Sequence, residues 1–521
     1  MIAAIPSAVL IGVEGQPVHV EVHVSNGLPG FTVVGLPDAA VRESRDRVRA
    51  ALLSSGLSWP LRRVTVNLAP SGVRKGGAGL DLPIAIGVLV ASGELPVDAV
   101  GGMAFVGELG LDGSLRGVPG TVVLTEALRG HRLVVAEESV TEAMLASQAD
   151  IRVAPTLAAL VDRLTGRQSW GSATCGSSFA DRDGRNGRDP GGVRCSPSST
   201  TDLAEVRGQL FPRRGLEVAA AGGHHLLMVG PPGAGKTMLA SCLPGLLPDL
   251  DRETALEATR VHSVAGLRLP PGGLITRPPF RSPHQGASSV AMIGGGSALM
   301  RPGEISLAHG GVLFLDEMGE FPTDVLDALR LPLEEGEVRV SRARATAAFP
   351  ARFILVGAMN PCPCGEGGIP GRCRCSPVAR ERYARRLSAP LLDRFDIAVR
   401  VEPPSFSELS GRLPSESTAQ VAARVARVRH RALVRGVGAN AALPVSMLSS
   451  VAPLDSAALR VIERQVGSGA LSARGVHRVQ RLARTLADLD NDGDGDVIGE
   501  AHVSEALRLR CQRELLLGDQ R

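Results

Sequence analysis

Short apolar runs at Val18–Val24, Arg63–Leu68 and Arg132–Val135 read as strands, and segments such as Asp38–Ser54 between them read as helices. The N-terminal stretch MIAAIPSAVLIGVEGQ lacks the basic start of a signal peptide and also reads as a strand. Residues 1–165 are therefore expected to form one α/β unit. From Gly166 to Thr200 the apolar period disappears, and Gly, Ser and Arg dominate, which predicts a linker. A second α/β unit is expected over residues 201–404. Residues 405–521 read as helical, notably Ala473–Asp488 and Glu500–Leu517. No short-period repeat interrupts this plan.

A chain of 521 residues is too long for one core, which agrees with several units. The apolar run Leu80–Ser92 holds Asp81 and Pro83, and no uncharged stretch reaches the roughly 18 residues of a membrane span. A cytoplasmic protein with no membrane partner is expected. The eight cysteines are too few for a disulfide scaffold, and four crowd into Cys362–Cys375, which points to metal. A net charge of +4 permits a nucleic-acid partner without arguing for one. With 3% aromatic residues there is little material for stacking bases, so any grip would fall on phosphates.

The chemistry concentrates in the second unit. The predicted strand His225–Val229 runs into Gly230, Pro231, Pro232, Gly233, Ala234, Gly235, Lys236 and Thr237, followed by the helical run MLASCLPGLL. Strand, glycine-rich loop and helix are the context of a phosphate loop. Backbone N–H groups curl around the phosphates, Lys236 reaches the terminal ones, and the Thr237 hydroxyl ligates Mg²⁺. A second apolar strand, GVLFLDE, ends in Asp316 and Glu317, suited to holding the metal and activating a water. The strand RFILVGAMN then brings Asn360 to its tip, where it can orient that water. ATP and Mg²⁺ are the expected cofactors.

Beyond the phosphate chemistry, the stretches GLPDAAVRESRDRVRAAL, RPPFRSPHQGASSVAMIGGG, RPGEISLAHGGVLFLDE, AMNPCPCG, LLDRFDIAV and SARGVHRVQRLARTLADL span nearly the whole chain outside the linker. In them the chain resembles AAA+ ATPases of the magnesium-chelatase-like branch, most closely the ComM (YifB) family, which is linked to DNA branch migration during natural transformation. The resemblance implies a P-loop α/β core, a C-terminal helical lid and a hexameric ring that acts on DNA. It also implies that Arg394 is an arginine finger reaching a neighbouring subunit's γ-phosphate, with Arg474 as a second sensor on the same nucleotide. Arg385 and Arg386 lie near enough in sequence to compete for the finger role. A chelatase-type motor remodelling a protein partner shares the same ATP motifs and is the alternative.

In that family the segment PFRSPHQGASS with Gly294, Gly295 and Gly296 is a loop projecting into the pore, although a triple glycine also fits a passive turn. The hairpin pattern GEVRVSRARATAAF carries Arg339, Arg342 and Arg344, candidates for gripping DNA phosphates irrespective of sequence; a solvated strand face looks the same. Cys362, Cys364, Cys373 and Cys375 form two C-x-C pairs eight residues apart, matching a closed structural zinc site more readily than free thiols. Their place just after Asn360 suggests a brace near the nucleotide. The segment DNDGDGDVIGEA is no calcium loop, because its twelfth position is Ala501. The first unit resembles the α+β fold of Lon protease domains and a small-subunit ribosomal protein. No serine lies between Gly72 and Ala91, so a non-proteolytic domain is expected.

Overall fold

The computed structural model describes residues 2–72, 75–146, 150–170, 201–296, 300–342, 345–367, 372–406, 408, 415–490 and 497–510. In the first unit, the strands Ile2–Ile11, Glu14–Ser25, Arg63–Ala69 and Gly30–Val34 form a sheet in that order. The first three run antiparallel, and the last pairs in parallel. Val18, Val20, Val22 and Val24 alternate into the core, as period two demands, although the strand is longer than the Val18–Val24 expected. The predicted helix forms over Ala39–Ser54, with Asp38 capping the Val41 amide. Asp81–Ser92 is apolar on all sides because it is a buried helix beneath the sheet. Asp81, within it, is neutralised by Arg47 at 2.7 Å. Among the described residues, no helix is long and apolar enough to cross a membrane. A small parallel sheet of Met103–Phe105, Arg132–Val135 and Asp150–Val153 completes this unit.

The second unit is built on five parallel strands in the order Phe280–Arg281, Val312–Leu315, Ile354–Met359, Leu226–Val229, Ile397–Arg400. Its central strands are buried on both faces and so read as continuous apolar runs. The strand expected from His225 begins at Leu226. His225 instead uses its ring Nδ1 to accept the Leu355 amide at 3.0 Å. The helices Thr418–Val434, Ala473–Asp490 and Glu500–Leu509 pack over the core's Leu210–Gly222 and Lys236–Leu246 helices. Within them Asp488 is buried among Arg435, Arg484 and Asn440, at 2.5, 2.8 and 2.8 Å.

The two units touch directly. Val122 and Val123, in the helix Thr121–Ala127, pack on Val264 of the helix Arg252–Ala265. Beside them Arg260 pairs with Glu126 at 2.7 Å, and the Gly120 amide donates to the Ser263 carbonyl. The turn at Gly12 rests on Ala347 and Phe349 of an antiparallel hairpin, Glu337–Arg342 with Ala345–Pro350. Most of the expected linker, half of the calcium-like segment and the last part of the helix expected to Leu517 lie outside the described residues.

Candidate functional site

At the carboxyl end of the Leu226–Val229 strand the chain turns through Gly230–Gly235 into the helix Lys236–Leu246. Gly233 and Gly235 sit at φ +76° and +93°, a region L side chains avoid. A side chain at Gly230 would lie 2.0 Å from the Val401 carbonyl oxygen, so the loop can only start on glycine. Lys236 Nζ donates to the carbonyls of Gly230 and Pro231 at 2.7 and 2.9 Å and to Asn360 Oδ1 at 3.1 Å. Burial lowers the Lys236 pKa, and Asp316 and Glu317 oppose that shift.

The neighbouring strands deliver the other predicted residues to the same edge. Asp316 follows Val312–Leu315, and its Oδ2 accepts the Thr237 hydroxyl at 2.7 Å. These two hard oxygens, side by side at the mouth of a phosphate loop, are the donors Mg²⁺ takes. Glu317 stands next to them with φ +50°, a left-handed conformation rare outside glycine. Asn360 comes from the tip of Ile354–Met359, the strand between the acidic and the phosphate-loop strands. Lys236, Thr237, Asp316, Glu317 and Asn360 thus share one crevice at the carboxyl ends of a parallel sheet, where such folds bind ligands.

Arg394 and Arg474 lie together elsewhere. Both line a groove with Arg330, Glu334, Ala389, Pro390 and Asp393. Arg394 precedes Ile397, which pairs in register with Leu226, so it stands at the sheet edge opposite Gly230. It is ion-paired with Glu334, while its Nε is buried without a hydrogen-bond partner. Burial lowers its pKa, and Arg478, Arg474 and Arg330 lower it further, as expected where positive charge is concentrated for an anion. The two neighbouring arginines are ion-paired as well, Arg385 with Glu381 at 2.6 Å and Arg386 with Glu320 at 3.0 Å, and neither lines this groove. Arg330, Glu334 and Arg478 were not foreseen. Arg478 had a signal, being one helical turn beyond Arg474.

A connection between the C-terminal helices and the core also escaped the sequence. His224 reaches Thr485 at 2.9 Å and Asp396 at 3.3 Å, joining the helix Ala473–Asp490 to the segment that carries Arg394.

The DNA-contact candidates fare unevenly. Arg339 is exposed on the hairpin but already paired with Glu337 at 2.5 Å, Arg342 ends its strand opposite Ala345, and Arg344 lies outside the described residues. The glycines of the expected pore loop form a strand: Gly294–Gly295 pairs with Arg301–Pro302. The four cysteines converge, with every sulfur within 4.8 Å of the others. Their loop abuts the phosphate loop, since a side chain at Gly365 would meet the Pro232 ring at 2.5 Å.

Three family models match this chain. Residues 20–139 match "Subunit ChlI of Mg-chelatase", residues 202–409 "Magnesium chelatase, subunit ChlI", and residues 415–510 its C-terminal model. The chain is 43% identical to "Uncharacterized protein YifB" of Escherichia coli over 97% of its own length and 96% of that protein's. It is 42% identical to "Competence protein ComM" of Haemophilus influenzae, over 99% and 98% of the two chains. A magnesium-chelatase 38 kDa subunit of Rhodobacter capsulatus is 26% identical over 56% of this chain and 80% of that one. A parallel-sheet core with a glycine-rich loop, matched along almost its whole length by YifB and ComM, makes the chain a member of the ComM/YifB family of magnesium-chelatase-like AAA+ proteins.

Proposed function

We propose that this protein is a ring-forming ATPase that drives DNA, migrating branched recombination intermediates. The observation that carries the ATPase reading is the convergence of Lys236, Thr237, Asp316, Glu317 and Asn360 on one crevice, with Thr237 bonded to Asp316 and Lys236 to Asn360. With a nucleotide bound, Lys236 would exchange its carbonyl acceptors for phosphate oxygens, and Thr237 and Asp316 would hold Mg²⁺, which supplies charge neutralisation at the phosphates. Glu317 takes the proton of the attacking water, and Asn360 orients that water. Arg394 and Arg474, at the far edge of the sheet, serve the nucleotide of the adjacent subunit, so turnover requires assembly, six subunits being expected from the family resemblance. A cytoplasmic location suits this reading, because ATP and reduced thiols are both at hand there.

The DNA reading is supported by likeness to a competence protein along nearly the whole chain, where the chelatase subunit covers 56%. The first unit, without a serine between Gly72 and Ala91, acts as a non-proteolytic platform. A protein-remodelling motor is the second reading, favoured by the three chelatase-named family models. Steady-state ATP hydrolysis with no polymer, single-stranded DNA or a four-way junction, across several salt concentrations, separates the two. Stimulation by DNA that fades with salt supports the first. Hydrolysis indifferent to DNA at every salt refutes it in favour of the second.

A further inference from the structure

Cys362, Cys364, Cys373 and Cys375 lie at the loop following Asn360. Cys362 is fully buried, Cys364 is exposed, and the other two are half-buried. The sulfur of Cys362 is 3.4 Å from that of Cys364 and 3.8 Å from that of Cys373, and the latter two are 3.5 Å apart. A disulfide holds its sulfurs at about 2.05 Å, far closer than any of these. Four thiolates around a zinc ion at about 2.3 Å stand about 3.8 Å from one another by tetrahedral geometry, close to what is seen. The backbone supports the charge such a site carries, since the Gly367 amide donates to Cys362 Sγ at 3.2 Å.

The cluster's position connects it to the nucleotide crevice in two ways. Cys362 follows Asn360 by two residues, so whatever fixes its sulfur fixes the backbone from which Asn360 reaches Lys236. Gly365, between the first two ligands and the rest, lies against Pro232 of the phosphate loop. The segment between the two pairs is rich in glycine and would cost considerable chain entropy to order without a crosslink.

We propose that these four cysteines bind one Zn²⁺ per chain as a closed tetrathiolate, and that the ion fastens this loop against the phosphate loop and so positions Asn360. Each ligating thiol releases its proton to solvent, and zinc undergoes no redox change. Four thiolates leave no open coordination position, so the ion is structural. The metal assignment stands apart from the nucleotide reading; the bracing role rests on it.

The test begins with the zinc content of the purified full-length chain after dialysis against metal-free buffer. One zinc per chain is expected, and Lys236→Ala protein should hold as much, because that residue is not a ligand. Reduced, metal-stripped chain given Co²⁺ should develop the ligand-field and charge-transfer bands of tetrahedral tetrathiolate cobalt, and Cys364→Ser should lose that signature. A chain that holds no zinc as purified and gives no such bands with Co²⁺ overturns the site, even should the cysteine variant misfold. Stripping zinc from the wild-type chain should weaken binding of a fluorescent ATP analogue by about tenfold, the lower end of what supporting shells contribute to a site. Restored Zn²⁺ should recover it. Unchanged affinity after stripping overturns the bracing role, whereas no binding by the zinc-loaded chain would count against the nucleotide site itself.

Discussion

Two inactive variants, mixed, should regain activity if Arg394 completes a neighbour's site. Along the strands, Gly230 lies about 13 Å beyond Leu226 at 3.3 Å per residue, while Arg394 stands before the opposite end of the sheet. An arginine there does not reach its own phosphate loop. Lys236→Ala leaves a subunit unable to hydrolyse but able to lend its finger, and Arg394→Ala leaves the reverse. Each protein alone should fall at least about a thousandfold in turnover, the scale of a missing arginine finger or phosphate-loop cation. In a head-to-tail ring assembled at random from equal amounts, about one interface in four joins an intact site to an intact finger. Mixing before nucleotide is added should therefore restore about a quarter of wild-type hydrolysis, if interfaces fire independently. A coupled steady-state assay reads this directly, with native mass spectrometry to confirm mixed rings. Mixed rings that stay inactive would refute the trans assignment, and wild-type turnover by Arg394→Ala alone would show that another residue is the finger.

Further outcomes follow from the same geometry. Lys236→Ala should abolish ATP hydrolysis by removing the cation that would meet the phosphates; retained turnover would disprove the site. Asp488→Ala should destabilise the fold by about 3–5 kcal/mol in urea titration, because Arg484 and Arg435 would be left without their carboxylate. A loss below about 1 kcal/mol would mean that water satisfies them. Burial holds His225 and His262 at pKa values of about 4, against 6.5 when unfolded. The unfolded chain therefore takes up protons first as pH falls, so stability is full above about 6.5 and declines toward 4, by on the order of 3 kcal/mol for each histidine. Denaturant midpoints that stay flat from pH 7 to 4 would contradict their burial as neutral rings.

The residues of the candidate nucleotide site were legible in the sequence because its parts are local. A phosphate loop is eight contiguous residues with a strand before and a helix after, and Asp316 and Asn360 each end an apolar run that marks its own strand. Local period also gave Ala39–Ser54 and the valines of Glu14–Ser25. What stayed hidden depends on residues distant in the chain. Arg330 and Glu334 share a groove with Arg474, which is more than a hundred residues away in the chain, and no periodicity announces that. His224 bridges Thr485 and Asp396 across more than 150 residues. The burial of Arg484 has no local signal, because the helix Ala473–Asp490 carries several arginines. The pairing of Arg339 with Glu337 was there to be read, two residues apart on one strand face, and it tempers the basic edge expected of that hairpin.

Glu317 holds its carboxylate on a backbone that glycine or asparagine would occupy more comfortably, at a cost on the order of 1 kcal/mol. Drift toward stability alone would exchange it for one of those residues and, on the role proposed for Glu317, remove the water-activating base in the same step. On the proposed role, selection for turnover would hold Glu317 there against this drift, and a lineage released from that selection would be expected to lose its acid at this position before it lost its fold.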